Sequence, residues 1–146
     1  LRHKGSAPGS YRHATETDRQ LLESWTDAFF REVHSRAPLG QEVGAVVRRL
    51  AQGAYRIWEH DGQPVCYVAQ SRPTPTGMAI NAAFTPEQLR GRGYATSCVA
   101  ALCAEILAGG KSFCTLFADV GNPTANGIYR RLGFEPLGEF LELDFA

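Results

Sequence analysis

The chain has 146 residues, room for one domain, and its 15 Lys plus Arg balance 15 Asp plus Glu to a formal net charge of zero. That neutrality argues against a nucleic-acid grip, which needs a net basic face, and against a polyacidic disordered tail. A hydrophobic fraction of 44% with 10% aromatics suits a folded domain with a real core, and no apolar run approaches the roughly 18 residues of a membrane span.

Residues 1–10, LRHKGSAPGS, are rich in Gly, Ser and Pro and are expected to be a linker or an expression remnant. The domain is then 11–146, with the stretch before it a candidate seam to a preceding domain of a longer chain. A short extended piece at 11–14 precedes Thr15-Glu16-Thr17-Asp18, which supplies helix N-caps and early negative charge. Leu21, Leu22, Trp25, Ala28, Phe29 and Val33 then recur at helical spacing, predicting a first helix over 18–34. Pro38 and Gly40 end it. A second helix carries Val43, Val46, Val47 and Leu50 and stops at Gly53.

The period then changes to that of strands. Segments 55–59 and 64–70 flank His60-Asp61-Gly62-Gln63, whose Asp-Gly is a hairpin signal, and His60 in that turn is expected to face solvent. A Pro-rich loop leads to a third strand over 78–85, giving an antiparallel meander. Further on, 94–107 reads as a helix ended by Gly109-Gly110, 113–118 as a buried strand, 124–132 as a helix stopped by Gly133, and 134–145 as a final extended region. The order β, α, α, β, β, β, α, β, α, β specifies an α/β (α+β) layer with a mixed sheet. Cys66, Cys98, Cys103 and Cys114 lie in apolar surroundings without metal spacing, so reduced thiols and no metal site are expected, and with no apolar leader the reading is cytoplasmic.

One stretch carries chemistry: a strand ending Phe84-Thr85-Pro86, then Arg90-Gly91-Arg92-Gly93-Tyr94-Ala95-Thr96 entering a helix. Glycines let the backbone turn its N–H groups, together with the helix N-terminus, toward one space, a nest for an anion flanked by Arg90 and Arg92. The stretch lacks the Gly-Lys-Ser/Thr of a P-loop and the spacing of a dinucleotide fingerprint. The bland alternative is a surface turn that happens to hold two arginines.

A second segment, Asn122-Pro-Thr-Ala-Asn126-Gly-Ile-Tyr129-Arg130-Arg131-Leu-Gly133-Phe134, follows the 113–118 strand. Together the two resemble the GNAT superfamily of acyl-CoA N-acyltransferases: the first matches its pyrophosphate motif, and Asn122, Tyr129, Gly133 and Phe134 match its second motif, over a chain similar from about residue 11 to 145. The resemblance implies a mostly antiparallel sheet flanked by helices and splayed where the cofactor binds. It implies acetyl-CoA as co-substrate and acetyl transfer to the primary amine of a small molecule or peptide by direct attack. It also admits a homodimer paired through the late strands.

By the same resemblance Ala83, Phe84 and Thr85 line the cofactor arm and supply a backbone donor for the oxyanion, Phe84 being equally a core residue. The motif residues Arg90 to Thr96 hold the pyrophosphate. Tyr129 is the general acid: a phenol of pKa about 10 can protonate a departing thiolate of similar basicity. Its alternative is a helix anchor. Asn122 and Asn126 are cofactor contacts or, for Asn122 before Pro123, a helix cap. Arg130 and Arg131 meet the nucleotide end or form a solvated face.

The strand over 78–85 has no carboxylate to act as base. Asp119 is the nearest by topology, with Glu59, Glu139 and Glu142 behind it. The missing base keeps a second function open, a catalytically degenerate CoA-binding sensor or scaffold. The acceptor is expected between the first two helices, the loop over 72–77 and the final strands, where apolar stretches at 25–30 and 39–47 lean against a highly charged substrate.

Overall fold

The computed structural model describes residues 5–34 and 41–141. Strands β1 (Ser10–His13), β2 (Tyr55–His60), β3 (Gln63–Ser71), β4 (Gly77–Phe84) and β5 (Phe113–Leu116) form one sheet in sequence order. The first three junctions are antiparallel and the β4–β5 junction is parallel, the mostly antiparallel mixed sheet expected. Helices α1 (Arg19–His34) and α2 (Gln41–Ala51) cover one face, and α3 (Tyr94–Ala108) and α4 (Pro123–Leu132) the other.

Strand alternation decides which residue meets which helix pair. Tyr55, Ile57, Tyr67, Ala69 and Phe84 point to α1 and α2, packing with Leu22, Trp25, Val46 and Leu50. Cys66, Val68 and Ile80 point the other way, against Cys98, Val99, Leu102 and Ile106 of α3. The β2–β3 hairpin closes through Asp61 (φ 51°) and Gly62 (φ 72°), the two positive φ values that an Asp-Gly turn supplies.

Beneath α3, Arg56 of β2 is buried and donates from Nε and Nη2 to both Glu105 oxygens at 3.0 and 2.6 Å. Tyr11 donates to the same carboxylate at 2.5 Å. The bidentate pair ties the sheet to the helix and satisfies the charge where it is buried.

Three expectations change. Residues 134–141 form no strand, and 142–145 lie outside the described residues, as do Pro38, Gly40 and the candidate base Glu142. His60 is half-buried, its Nδ1 2.7 Å from the Tyr94 hydroxyl, because β2 runs through it and carries its ring onto α3. Within the stretch read as a linker, Ser10 begins β1, the Ala7 N–H donates to the Ser97 hydroxyl at 3.0 Å, and the Pro8 carbonyl accepts from Trp58 Nε1 at 2.9 Å.

Candidate active site

The loop between β4 and α3 is shaped by backbone signs. After Thr85-Pro86 a single 3-10 turn, Glu87–Leu89, reverses the chain, and Gly91 (φ 77°) and Gly93 (φ 80°) then take left-handed conformations. A Cβ at Gly91 would meet nothing and one at Gly93 only Ala7 Cβ at 3.8 Å, so conformation, and not crowding, requires glycine. The first bond within α3 runs from Ser97 N–H to Gly93 C=O at 3.0 Å. The N–H groups of Tyr94, Ala95 and Thr96 are therefore left without a helical acceptor.

The side chains of this motif do less than their sequence suggests. Arg90 turns toward α1: its Nη2 lies 2.7 Å from both Glu32 oxygens, its Nε donates to Thr85 O at 2.8 Å, and its guanidinium sits over the Phe84 ring. Arg92 is exposed and reaches only Gln88 O, at 3.4 Å. Tyr94 is buried with its hydroxyl on His60. What faces the nest is backbone.

Beside the nest the sheet opens. Pairing between β4 and β5 ends at Ile80↔Leu116, while β4 continues to Phe84 against β3. Asn81 is an extra residue between the pairs Ile80↔Gln70 and Ala82↔Ala69, a bulge that bends β4 where it leaves β5. The β5-facing edge of residues 81–84 is thereby unpaired. Ala83 is half-buried; Phe84 is core, its ring tilted against those of Trp25 and Tyr67. Thr85 Oγ1 is buried without a partner.

Helix α4 carries the second motif. Asn122 Oδ1 accepts from Ala125 N–H at 3.0 Å, and Pro123 follows as the first helical residue. Asn126 Nδ2 donates to the carbonyls of Asp119 and Asn122, each at 2.8 Å. Both asparagines thus build the helix start. At the other end Gly133 (φ 103°) donates to Arg130 O and Phe134 to Tyr129 O, both at 3.0 Å, a Schellman close.

That close explains why Gly-Phe follows the tyrosine. Phe134 lies edge-to-face on the Tyr129 ring, centroids 6.0 Å apart, and fixes it against the α3 face of the sheet. Among the described residues nothing hydrogen-bonds the Tyr129 hydroxyl. Burial first, then the nearby Cys66 thiol, raise its pKa, so the phenol keeps its proton. By its register Cys66 lies beside the open end of β4.

The expected bases are not gathered here. Asp119 is exposed in the turn after β5, its Oδ1 accepting from Gly121 N–H at 2.8 Å. Glu59 pairs with Arg12 at 3.0 Å, and Glu139, Arg130 and Arg131 are exposed.

On the α1–α2 face lies a group the sequence reading passed over. With its amide oriented so that both ends are satisfied, Asn81 donates to Ala69 O at 3.0 Å and accepts from Arg49 Nη1 and Nη2 at 3.1 and 3.2 Å. The Tyr55 hydroxyl lies beside Arg49 and Thr26, and that of Tyr67 beside Thr26. Thr26 Oγ1 is buried without a well-formed hydrogen bond. A lone polar residue in the apolar run Met-Ala-Ile-Asn-Ala-Ala-Phe was the available signal.

The four cysteines are free: Cys98 beside Cys66, and Cys103 beside Cys114. Among the described residues no His, Cys, Asp and Glu side chains gather as a metal site, and no helix is long and apolar enough to cross a membrane.

Residues 68–141 match the family described as FR47-like protein. No curated protein matches the chain. Among solved structures the chain is similar to aminoglycoside N-acetyltransferase AAC(6')-Iy in complex with CoA, at 14% identity, 96% coverage of each chain and a TM-score of 0.75. It is similar to a predicted acetyltransferase with acetyl-CoA from Clostridium acetobutylicum, at 23% identity over 92% of this chain and 95% of that one, TM-score 0.69. It is also similar to a transcriptional regulator from Bacillus halodurans, at 19% identity over 94% and 99%, TM-score 0.75.

Proposed function

Since the chain belongs to the GNAT-related FR47-like family, we propose that it is an acyl-CoA-dependent N-acyltransferase that moves an acetyl group from acetyl-CoA to a primary amine. The observation that carries this is the opening of the sheet after Ile80↔Leu116, directly beside the glycine nest. An unpaired strand edge offers hydrogen bonds to an extended amide-bearing arm, and free N–H groups at a helix N-terminus suit a pyrophosphate. The fold neighbours that carry CoA or acetyl-CoA in their descriptions support the same ligand.

Acetyl-CoA, when bound, supplies an activated thioester. The chain's residues do the rest. Gly91, Gly93 and the N–H groups of residues 94–96 hold the diphosphate, with Arg92 in the outer solvent layer. The open edge of β4 from Asn81 to Phe84 aligns the arm and presents backbone donors to the carbonyl oxygen where negative charge develops. Tyr129, neutral and unpartnered, gives its proton to the departing thiolate. Because Asp119 stands in an exposed turn away from the open β4 edge, the proton lost by the amine leaves through water to bulk solvent.

The lack of a carboxylate on β4 favours one second reading, a CoA-binding sensor without turnover. Calorimetry with acetyl-CoA, followed by an amine panel, separates the two. Binding lost in Gly93→Trp, and turnover lowered about 10²–10⁴-fold in Tyr129→Phe with binding kept, are the expected results. Tight CoA binding with no acceptor acetylated would select the sensor, and no CoA binding at all would sink both.

A further inference from the structure

Three arginines among the described residues are not exposed: Arg12, Arg49 and Arg56. Arg12 meets Asp18 at 2.8 Å and Glu59 at 3.0 Å, and Arg56 meets Glu105. Among the described residues Arg49 meets no carboxylate; its neighbours there are the Asn81 amide and the Tyr55 and Tyr67 hydroxyls. Among the described residues, then, this half-buried cation has given up hydration for neutral groups and no counter-charge.

Its position is as informative as its charge. Asn81 is the residue immediately after the last β4–β5 pair, so Arg49 stands at the apex of the split. It lies on the α1–α2 face, opposite the face from which Tyr129 approaches. The Asn81 oxygen takes one N–H from each terminal nitrogen of the guanidinium, which leaves three of its five donors for the Tyr55 hydroxyl and a further acceptor. Around it stand hydroxyls that can donate: Tyr55, Tyr67 and the buried, unsatisfied Thr26.

We propose that Arg49, positioned by Asn81, is the specificity-determining residue of the acceptor site and binds a carboxylate on the amine substrate, making that substrate an amino acid or short peptide with a free carboxyl. This rests on the acyltransferase reading for the identity of the site, and it replaces the expectation of a weakly charged acceptor drawn from the apolar stretches at 25–30 and 39–47. The amine end lies toward the open β4 edge and the carboxylate end toward α2.

The test titrates the wild-type protein, with and without CoA, with N-acetyl amino acids and N-acetyl dipeptides, each as the free acid and as the C-terminal amide. The best-binding acid should bind about 10–100-fold tighter than its amide, the worth of one charge-assisted pair. Arg49→Gln should bring that ratio close to one, and Arg49→Lys should keep part of it. Acid and amide binding alike to wild type would overturn the proposal, as would a fall of both together in Arg49→Gln with the ratio preserved, which is what a mere brace for the bulge predicts. CoA titrated alone reports separately on the acyltransferase reading.

Discussion

Arg56 and Arg49 lie on opposite faces of the same sheet and have opposite surroundings. Beneath α3, Arg56 is 3% exposed and closed on both Glu105 oxygens, with Tyr11 completing the carboxylate and the Gly53 carbonyl taking a further N–H at 2.7 Å. In the last turn of α2, Arg49 touches an amide and a hydroxyl, and the hydroxyl of Thr26 behind them is unsatisfied. The first arrangement uses its charge up inside the fold. The second leaves donors in surplus, and a surplus of donors around a cation is how a protein holds a place for an anion.

The contrast is most directly broken by removing each cation in turn. Arg56→Met takes the partner from a carboxylate that is 35% exposed and should cost about 3 kcal/mol of stability, the lower end for a buried pair because water reaches the stranded charge. Arg49→Gln removes hydrogen bonds from a cation to neutral acceptors and breaks no ion pair among the described residues, so it should cost less, about 1–2 kcal/mol. Urea denaturation of the two variants measures both. Equal losses would mean that Arg49 is as structural as Arg56.

Acid titration sharpens the same difference. The Arg56 guanidinium, chiefly, holds the Glu105 pKa at about 2 against an ordinary 4.5, and Arg12 likewise lowers that of Asp18. A depressed carboxylate pKa contributes stability that is fully present above the unfolded value and is lost as pH falls through the folded one. Stability should therefore decline from about pH 4.5 toward pH 2, and Glu105→Gln should flatten that decline. Arg49→Gln should leave the slope unaltered, since no carboxylate among the described residues lies beside it. A slope identical in wild type and Glu105→Gln would remove the pair from the account of acid unfolding.

The sequence made one of these regions more legible than the other for a physical reason. Element order followed from periodicity, the hairpin from Asp61-Gly62, and the nest from Gly91 and Gly93, all local in the chain. The helix start at Asn122-Pro123 and the close at Gly133-Phe134 were local too. Arg90 flanks the nest in the sequence yet turns its side chain to Glu32, 58 positions away, and no local pattern reports such a capture. The extended region read after residue 134 makes no ladder pairing over 134–141. Arg49 and Asn81 were missed because their meeting depends on a bulge, one residue of slip that sets Asn81 on the α2 side.

The smallest expected change in stability tests the comparison from the other side, by closing the open arginine as the closed one is closed. Asn81→Asp places a carboxylate where the amide oxygen accepts from both terminal nitrogens of Arg49. The new ion pair gains Coulomb energy but desolvates a second charge, and Asp cannot replace the amide's donation to Ala69 O. These terms oppose one another, and the net should stay within about 1 kcal/mol. Binding should respond far more than folding. With its cation neutralised in place, the site should lose its preference for acids over amides as fully as in Arg49→Gln, although the guanidinium is still present. A variant that folds normally and still prefers acids would show that the carboxylate is recognised elsewhere, and Arg49 would then differ from Arg56 in geometry alone.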